Sequence, residues 1–206
     1  MGKTFKIIGL VIILAAIVAA VFYIVSGKKE GAETAPAPVP ALVAPTSQAY
    51  KNDNYGFEFT YPLVLAQATP VYGDLADQIV QVEIPQGTYP GTNFGDAAFA
   101  VSAVPATSLA SCLQLFPPEN GDGFKTKTAI GGIDFYQTNS TGAAAGNIYR
   151  STVYRAFIRN TTCLELSEVI HTSNIGNYPP GAVTEVDTAP IQEQLDAIRE
   201  SFRLTR

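Results

Sequence analysis

The sequence contains no tryptophan, one histidine (His171), one methionine and two cysteines among 206 residues. One histidine cannot supply the usual zinc constellations, and no G-x-S-x-G or C-x-x-C motif supports nucleophilic or redox chemistry. Glu165 and Glu168 are three apart on a predicted strand, so they point to opposite faces and form no carboxylate pair. His171 is interpreted as a solvated or hydrogen-bonded residue at a strand end. We predict no catalytic residue, no cofactor and no metal site.

No charged residue occurs in residues 7–25, IIGLVIILAAIVAAVFYIV. At about 1.5 Å per residue, a helix of this length would be roughly 28 Å long, which matches the hydrocarbon thickness of a bilayer. The alternative is a cleaved signal peptide, whose apolar region is usually shorter and ends in a small-x-small site. Lys3 and Lys6 precede the run, which favours a cytoplasmic N-terminus. We expect residues 1–26 to be a cytoplasmic stub and transmembrane helix, with the remaining chain outside the cell membrane.

Basic residues are scarce in that remaining chain. From Glu30 onward there are nine basic and 18 acidic residues, a net charge of −9. A domain with this charge lacks the net positive charge that would attract nucleic acid or anionic lipid. The membrane is therefore expected to be contacted through the N-terminal helix, and a further partner would be an envelope or extracellular protein.

The two cysteines, Cys112 and Cys163, form an even pair. In an oxidising compartment, such a pair in one domain suggests a disulfide. Closing a loop of about 50 residues would stabilise the fold by about 4 kcal/mol in the chain-entropy description. The alternative is a pair of buried free thiols.

Residues 27–48, GKKEGAETAPAPVPALVAPTSQ, contain four prolines and many alanines. Proline interrupts both helices and sheets, and polyproline II stretches form semi-rigid spacers. We predict a linker here and a folded domain over residues 49–206.

Most of the predicted domain follows a two-residue period, which is typical of strands. The predicted strands are residues 55–61, 78–84, 97–104, 124–130, 133–138, 147–159 and 163–171. A short helix is predicted over residues 108–115. A longer helix begins after Asp187 or Thr188, because apolar residues then recur at helical spacing: Ile191, Leu195, Ile198 and Phe202. Short turns join most strands, so the pattern predicts an α+β fold with a central, mainly antiparallel sheet covered by helices.

The stretch DNYGFEFTYP places Tyr55, Phe57, Phe59 and Tyr61 on one face of the first predicted strand. Such a stripe either closes a core or forms a platform for a carbohydrate or peptide. The absence of tryptophan argues against a sugar platform. We expect the rings to lie beneath the C-terminal helix.

Two segments resemble a known family. YKNDNYGFEFTYP, residues 50–62, is similar to the opening strand of PsbP-like domains, and IQEQLDAIRESFRL is similar to their closing helix. The resemblance covers residues 50–206 in outline and is close only at the two ends. It implies an α/β/α sandwich around an antiparallel sheet; many bacterial members are membrane-tethered and lack an assigned function. No tryptophan follows Tyr61-Pro62 here, and no residue matches the manganese or calcium role of the photosynthetic members.

Two loops remain. TGAAAGN, residues 141–147, lacks the lysine and hydroxyl residue of a phosphate loop and is interpreted as a flexible hairpin connection. The loop over residues 174–184 offers Tyr178, Pro179 and Pro180 as a possible partner contact, and a plain crossover loop is the alternative.

The sequence therefore predicts a membrane-anchored, extracytoplasmic, non-enzymatic domain that binds a partner or assists an assembly. One alternative is an envelope enzyme whose site uses carboxylates such as Asp74, Asp77, Asp96 and Asp122. Another is a structural subunit of a surface assembly.

Overall fold

The computed structural model describes residues 46–73, 75–116 and 123–205. The predicted transmembrane segment and nearly all of the predicted linker lie outside these residues. Within them, no helix is long and apolar enough to cross a membrane. The strands are β1 (Ser47–Asn52), β2 (Phe57–Pro62), β3 (Ala66–Ala68), β4 (Asp77–Ile84), β5 (Phe94–Pro105), β6 (Thr126–Ile130), β7 (Ile133–Ala144), β8 (Asn147–Ile158), β9 (Thr162–Ser173) and β10 (Arg203–Leu204). The helices are α1 (Leu109–Gln114), α2 (Ala189–Glu200) and a 3-10 turn at Ile175–Asn177.

The strands form two antiparallel sheets. The large sheet has seven strands in the order β3-β4-β5-β9-β8-β7-β6, and the small sheet has three in the order β1-β2-β10. The predicted α+β class and mainly antiparallel pairing are confirmed. The expectation of one central sheet needs correction, because the ring-bearing strand β2 pairs with β1 and β10 and not with the large sheet.

The main core lies between the small sheet, α2 and one face of the large sheet, which we call the front face. Phe57, Phe59 and Tyr61 are all buried in it. Phe59 meets Phe99 of β5 edge to face at 5.2 Å between ring centroids, and Phe57 stacks on Phe202 at 5.4 Å. Burying one such side chain stabilises the fold by roughly 1.5–3 kcal/mol before entropy is counted. Three of the four predicted rings are thus core. Tyr55 instead lies in the turn before β2, where it is partly buried and its hydroxyl donates to Asp77 at 2.8 Å.

Helix α2 covers the front face beside the small sheet. Its apolar positions Ile191, Leu195 and Ile198 are buried, as the helical spacing predicts. Thr188 occupies the N-cap position without a side-chain bond, and the Asp187 carboxylate instead accepts from the Ala189 N–H group at 3.0 Å. The predicted helix start is therefore confirmed.

An ion pair fixes α2 on the sheet. Glu168 of β9 points to the front face and accepts from Nε of Arg199 at 2.8 Å. Burial raises the pKa of Glu168, and the Arg199 guanidinium opposes that shift. Glu165, three residues earlier, is buried on the opposite face, so the predicted separation of the two carboxylates is confirmed.

The other side of the large sheet, which we call the back face, carries a second, smaller core. Cys112 of α1 and Cys163 of β9 form a disulfide and pack with Leu75. The predicted bridge is confirmed, and it holds α1 against the end of β8 and β9 where Phe157 lies opposite Cys163.

The hairpin β7–β8 is longer than predicted. Residues 141–144 pair with β8 as far as Ala144 opposite Asn147, so the turn consists only of Ala145 and Gly146. Both have positive φ, 49° and 84°, which matches the twist that two-residue hairpins require. Most of TGAAAGN is therefore strand, because the tight turn allows pairing to continue to the tip.

Candidate functional site

The back face is covered only in part. Residues 69–73, which we call the covering loop, cross β4 and β5 there. The backbone N–H groups of Val71 and Tyr72 donate to Oε1 of buried Gln81 at 2.9 and 3.1 Å. The Tyr72 side chain then reaches Asp96 on β5. Helix α1 covers the end of β8 and β9 that carries Phe157 and Cys163. The other end of these strands, with the neighbouring part of β7, is left open.

A cavity of about 320 Å³ occupies this open area, and we call it the groove. This volume is at the lower end of the range for small-molecule sites. Its described lining comes from four segments: Val71, Tyr72 and Gly73 of the covering loop; Ser140 and Gly142 of β7; Tyr149, Ser151 and Val153 of β8; and Ser167 and Val169 of β9.

The floor of the groove alternates polar and apolar side chains. Ser151 of β8 lies opposite Val169 of β9, and Val153 lies opposite Ser167. Opposed residues of an antiparallel pair share a face, and residues two apart along a strand do as well. The four side chains therefore form a checkerboard.

A chain of three hydrogen-bonded side chains lies next to the groove. The Tyr72 hydroxyl donates to Oδ1 of Asp96 at 2.6 Å, and Nδ1 of His171 lies 2.9 Å from Oδ2 of the same carboxylate. Because a carboxylate accepts, we assign the proton in this contact to Nδ1. The Tyr149 ring, which lines the groove, stacks on the His171 ring with centroids 4.6 Å apart.

The surroundings of Tyr72 keep its hydroxyl protonated, so that it can donate a hydrogen bond. Burial and the Asp96 carboxylate both raise the pKa of the Tyr72 hydroxyl, so it stays protonated at neutral pH. Glu83 of β4 is the next acid, and burial together with the negative charge of Asp96 raises its pKa. The hydrogen bond from Tyr72 holds the covering loop on the sheet.

Gly95 places Asp96 and His171 in contact. The register of β5 and β9 shifts between Phe94 and Asp96, which leaves Gly95 in a β-bulge. A Cβ added to Gly95 would lie 2.5 Å from Nδ1 of His171 and 2.7 Å from its Cε1. Only glycine therefore lets the imidazole lie flat against β5.

We expect Gly95→Ala to break the contact between Asp96 and His171 and to destabilise the fold by about 1–3 kcal/mol, because the imidazole must leave its position. The imidazole resonances in a nitrogen–proton NMR spectrum measure this directly, since the chain has one histidine. Gly142→Ala is the matched control, because a Cβ there meets nothing within 4 Å. An unchanged imidazole spectrum for Gly95→Ala would contradict the proposed role of the bulge.

Two buried polar atoms near the groove have no hydrogen-bond partner among the described residues. They are Oγ1 of Thr138 and Nε2 of His171. Thr138 lies opposite Val153 at one end of the floor, and His171 lies opposite Tyr149 at the other. Buried polar atoms are normally hydrogen-bonded, so these two are exceptions, and neither residue belongs to the described lining of the groove.

The carboxylates considered for an enzyme do not converge in the described structure. Asp77 lies opposite Ala103 and accepts from the Tyr55 hydroxyl, whereas Asp96 lies at the other end of β5, about 23 Å away at the usual rise per residue. Asp74 and Asp122 lie outside the described residues. Among the residues that the structure describes, no three His, Cys, Asp or Glu side chains are grouped to hold a metal ion.

The predicted partner contact, Tyr178, Pro179 and Pro180, lies on an exposed loop. The 3-10 turn before it is fixed to the β7–β8 turn, because the Asn177 side chain donates to the Gly146 carbonyl at 2.9 Å. The Tyr178 side chain is 37% exposed. A role in partner binding stays a prediction.

Sequence reasoning did not find the groove. Its serines lie at ordinary strand positions, and the covering loop carries no periodic pattern. The available signal was Asp96, a charged residue within the apolar strand FGDAAFAV.

Comparison with solved structures finds partial similarity of fold. A Bacteroides thetaiotaomicron protein matches with a TM-score of 0.47 and 11% identity over 79% of this chain, which spans only 50% of that protein. LpqN, involved in cell envelope biogenesis of Mycobacterium tuberculosis, matches with a TM-score of 0.47 and 12% identity over 78% of this chain and 91% of its own. The cyanobacterial PsbP of Synechocystis matches with a TM-score of 0.41 and 12% identity over 82% of this chain and 99% of its own. No protein-family model and no curated protein matches the sequence. Scores this low assign neither a family nor a function.

Proposed function

We propose that the chain is a membrane-anchored, extracytoplasmic, non-enzymatic binding domain, and that the groove is its binding site. The observation that carries the proposal is the groove itself. The small sheet and α2 cover the main core on the front face, and the covering loop and α1 cover parts of the back face. The remaining area is concave and has polar side chains on its floor and rim.

The supporting arguments on location come from the sequence. The uncharged run over residues 7–25 has the length of a membrane span, and the chain after it is acidic and linked by a proline-rich spacer. An assembly-accessory role is one form that such binding could take, with the loop at Tyr178 as a second contact surface.

The alternatives find less support in the described residues. Of the four aspartates considered for an enzyme, the two that the structure describes, Asp77 and Asp96, lie far apart. A structural subunit would use open sheet edges such as β1 and β6, but β1 carries Lys51 and β6 carries Lys127, and charged residues discourage edge pairing.

Filling the groove tests the binding site. Gly142 is in extended backbone, and a Cβ there meets nothing within 4 Å, so Gly142→Leu should fill the groove without unfolding the domain. Ala143→Leu is the matched control, because the next residue of β7 points to the opposite face. The full-length chains are purified from native membranes, and the molecules released on denaturation are identified by mass spectrometry.

We expect at least one compound to be released by the wild type and by Ala143→Leu but to be absent from Gly142→Leu. Equal recovery from all three proteins, or recovery from none, would contradict the groove as the binding site. A separate experiment tests the extracytoplasmic location of the domain. Protease added to intact cells should remove residues 49–206 and leave the N-terminal segment.

A further inference from the structure

The checkerboard on the groove floor indicates the chemistry of its ligand. Ser151 and Ser167 alternate with Val153 and Val169 at the spacing of single side chains. Ser167 already donates to Oε1 of Glu165 at 3.2 Å, but a lipid chain would cover the Ser151 hydroxyl without offering it a partner. A fully polar ion would leave the valines facing charge. A sugar ring suits this floor, because it presents hydroxyl groups and apolar C–H groups at the same fine spacing.

The charges around the groove favour an uncharged ligand. None of the described lining residues is charged. On the back face, Arg155 is paired with Glu165, and the Asp96 carboxylate accepts from the Tyr72 hydroxyl and contacts Nδ1 of His171. A charged ligand would lose its hydration without gaining an opposite charge in the described part of the site.

From these observations we infer that the groove binds an uncharged sugar unit, with its hydroxyl groups on Ser151 and Ser167 and its C–H face on the valines. This inference rests on the proposed function and specifies the ligand class of the same site.

Three sugars that share one ring test the inference: N-acetylglucosamine, which is neutral, glucosamine, which is cationic, and glucuronate, which is anionic. Binding to the full-length chain is measured by saturation-transfer NMR and calorimetry, in a detergent without a sugar head group. We expect N-acetylglucosamine to bind at least about tenfold more tightly than either charged sugar. Ser151→Ala should weaken its binding about five- to tenfold. Thr152→Val is the control, since Thr152 faces the front of the sheet.

The outcomes separate this inference from the proposed function. If a charged sugar binds best, or only a non-sugar compound binds, and Gly142→Leu removes that binding, the ligand class is wrong and the groove remains the site. If N-acetylglucosamine binds equally well to the wild type and to Gly142→Leu, the sugar binds elsewhere and the inference is overturned.

Discussion

Arg155→Met should lower the free energy of unfolding by about 3–5 kcal/mol, because it leaves a buried carboxylate without its charge partner. The side chains of Arg155 and Glu165 are both fully buried, and Nε of Arg155 lies 2.7 Å from Oε2 of Glu165. The guanidinium also donates to the carbonyls of Leu115 and Phe116 after α1. Those acceptors would lose their donor in the same variant.

Urea unfolding followed by circular dichroism measures this effect. Arg150→Met is the matched control, because Arg150 is an exposed residue on the same strand and should change stability by less than about 0.5 kcal/mol. The double variant Arg155→Met/Glu165→Met should recover part of the loss, since neither charge is then buried alone. A loss below about 1 kcal/mol in Arg155→Met would show that the pair does not hold α1 on the sheet.

Removing the disulfide should have an effect of similar size. The variant Cys112→Ala/Cys163→Ala opens a loop with a sequence separation of 51 residues, and we expect a loss of about 4 kcal/mol. Both cysteines are completely buried, so the bridge should resist reduction until the protein unfolds.

Unfolding with and without reductant measures the contribution of the bridge. Reductant should lower the midpoint of the wild type toward that of the double variant and leave the variant unchanged. Equal midpoints for the wild type in both conditions would contradict a stabilising bridge, provided that free thiols are detected after unfolding in reductant.

The elements that the sequence predicts best are those whose pattern is local. Helix α2 repeats its apolar residues over three turns, and β2 places rings at every second residue. In both elements the local pattern predicts which face is buried. The strand β1, SQAYKN, is not predicted: its first two residues are assigned to the linker and the rest to the start of the domain without a strand. It is polar and lies at a sheet edge, where every second residue is only partly buried and the others are exposed. β10 has two residues, too few for any period.

The groove could not be predicted because its parts meet only through long-range pairing. Asp96 and His171 are separated by 75 residues and are joined by the register of β5 and β9, which the Gly95 bulge shifts. Tyr72 reaches them from a loop without regular structure. The division into two sheets has the same cause, since β2 pairs with β10 across 145 residues at Glu58 and Arg203.

The small sheet pairs segments that are far apart in the sequence, and this affects how the domain folds. β2 is synthesised well before Phe202 and β10, which complete its surroundings. Contacts of such high sequence separation form slowly, and exposed apolar strands aggregate. The ring-bearing strand β2 therefore lacks its covering partners until Arg203, 145 residues after Glu58, has been synthesised, so a partly synthesised domain exposes these rings.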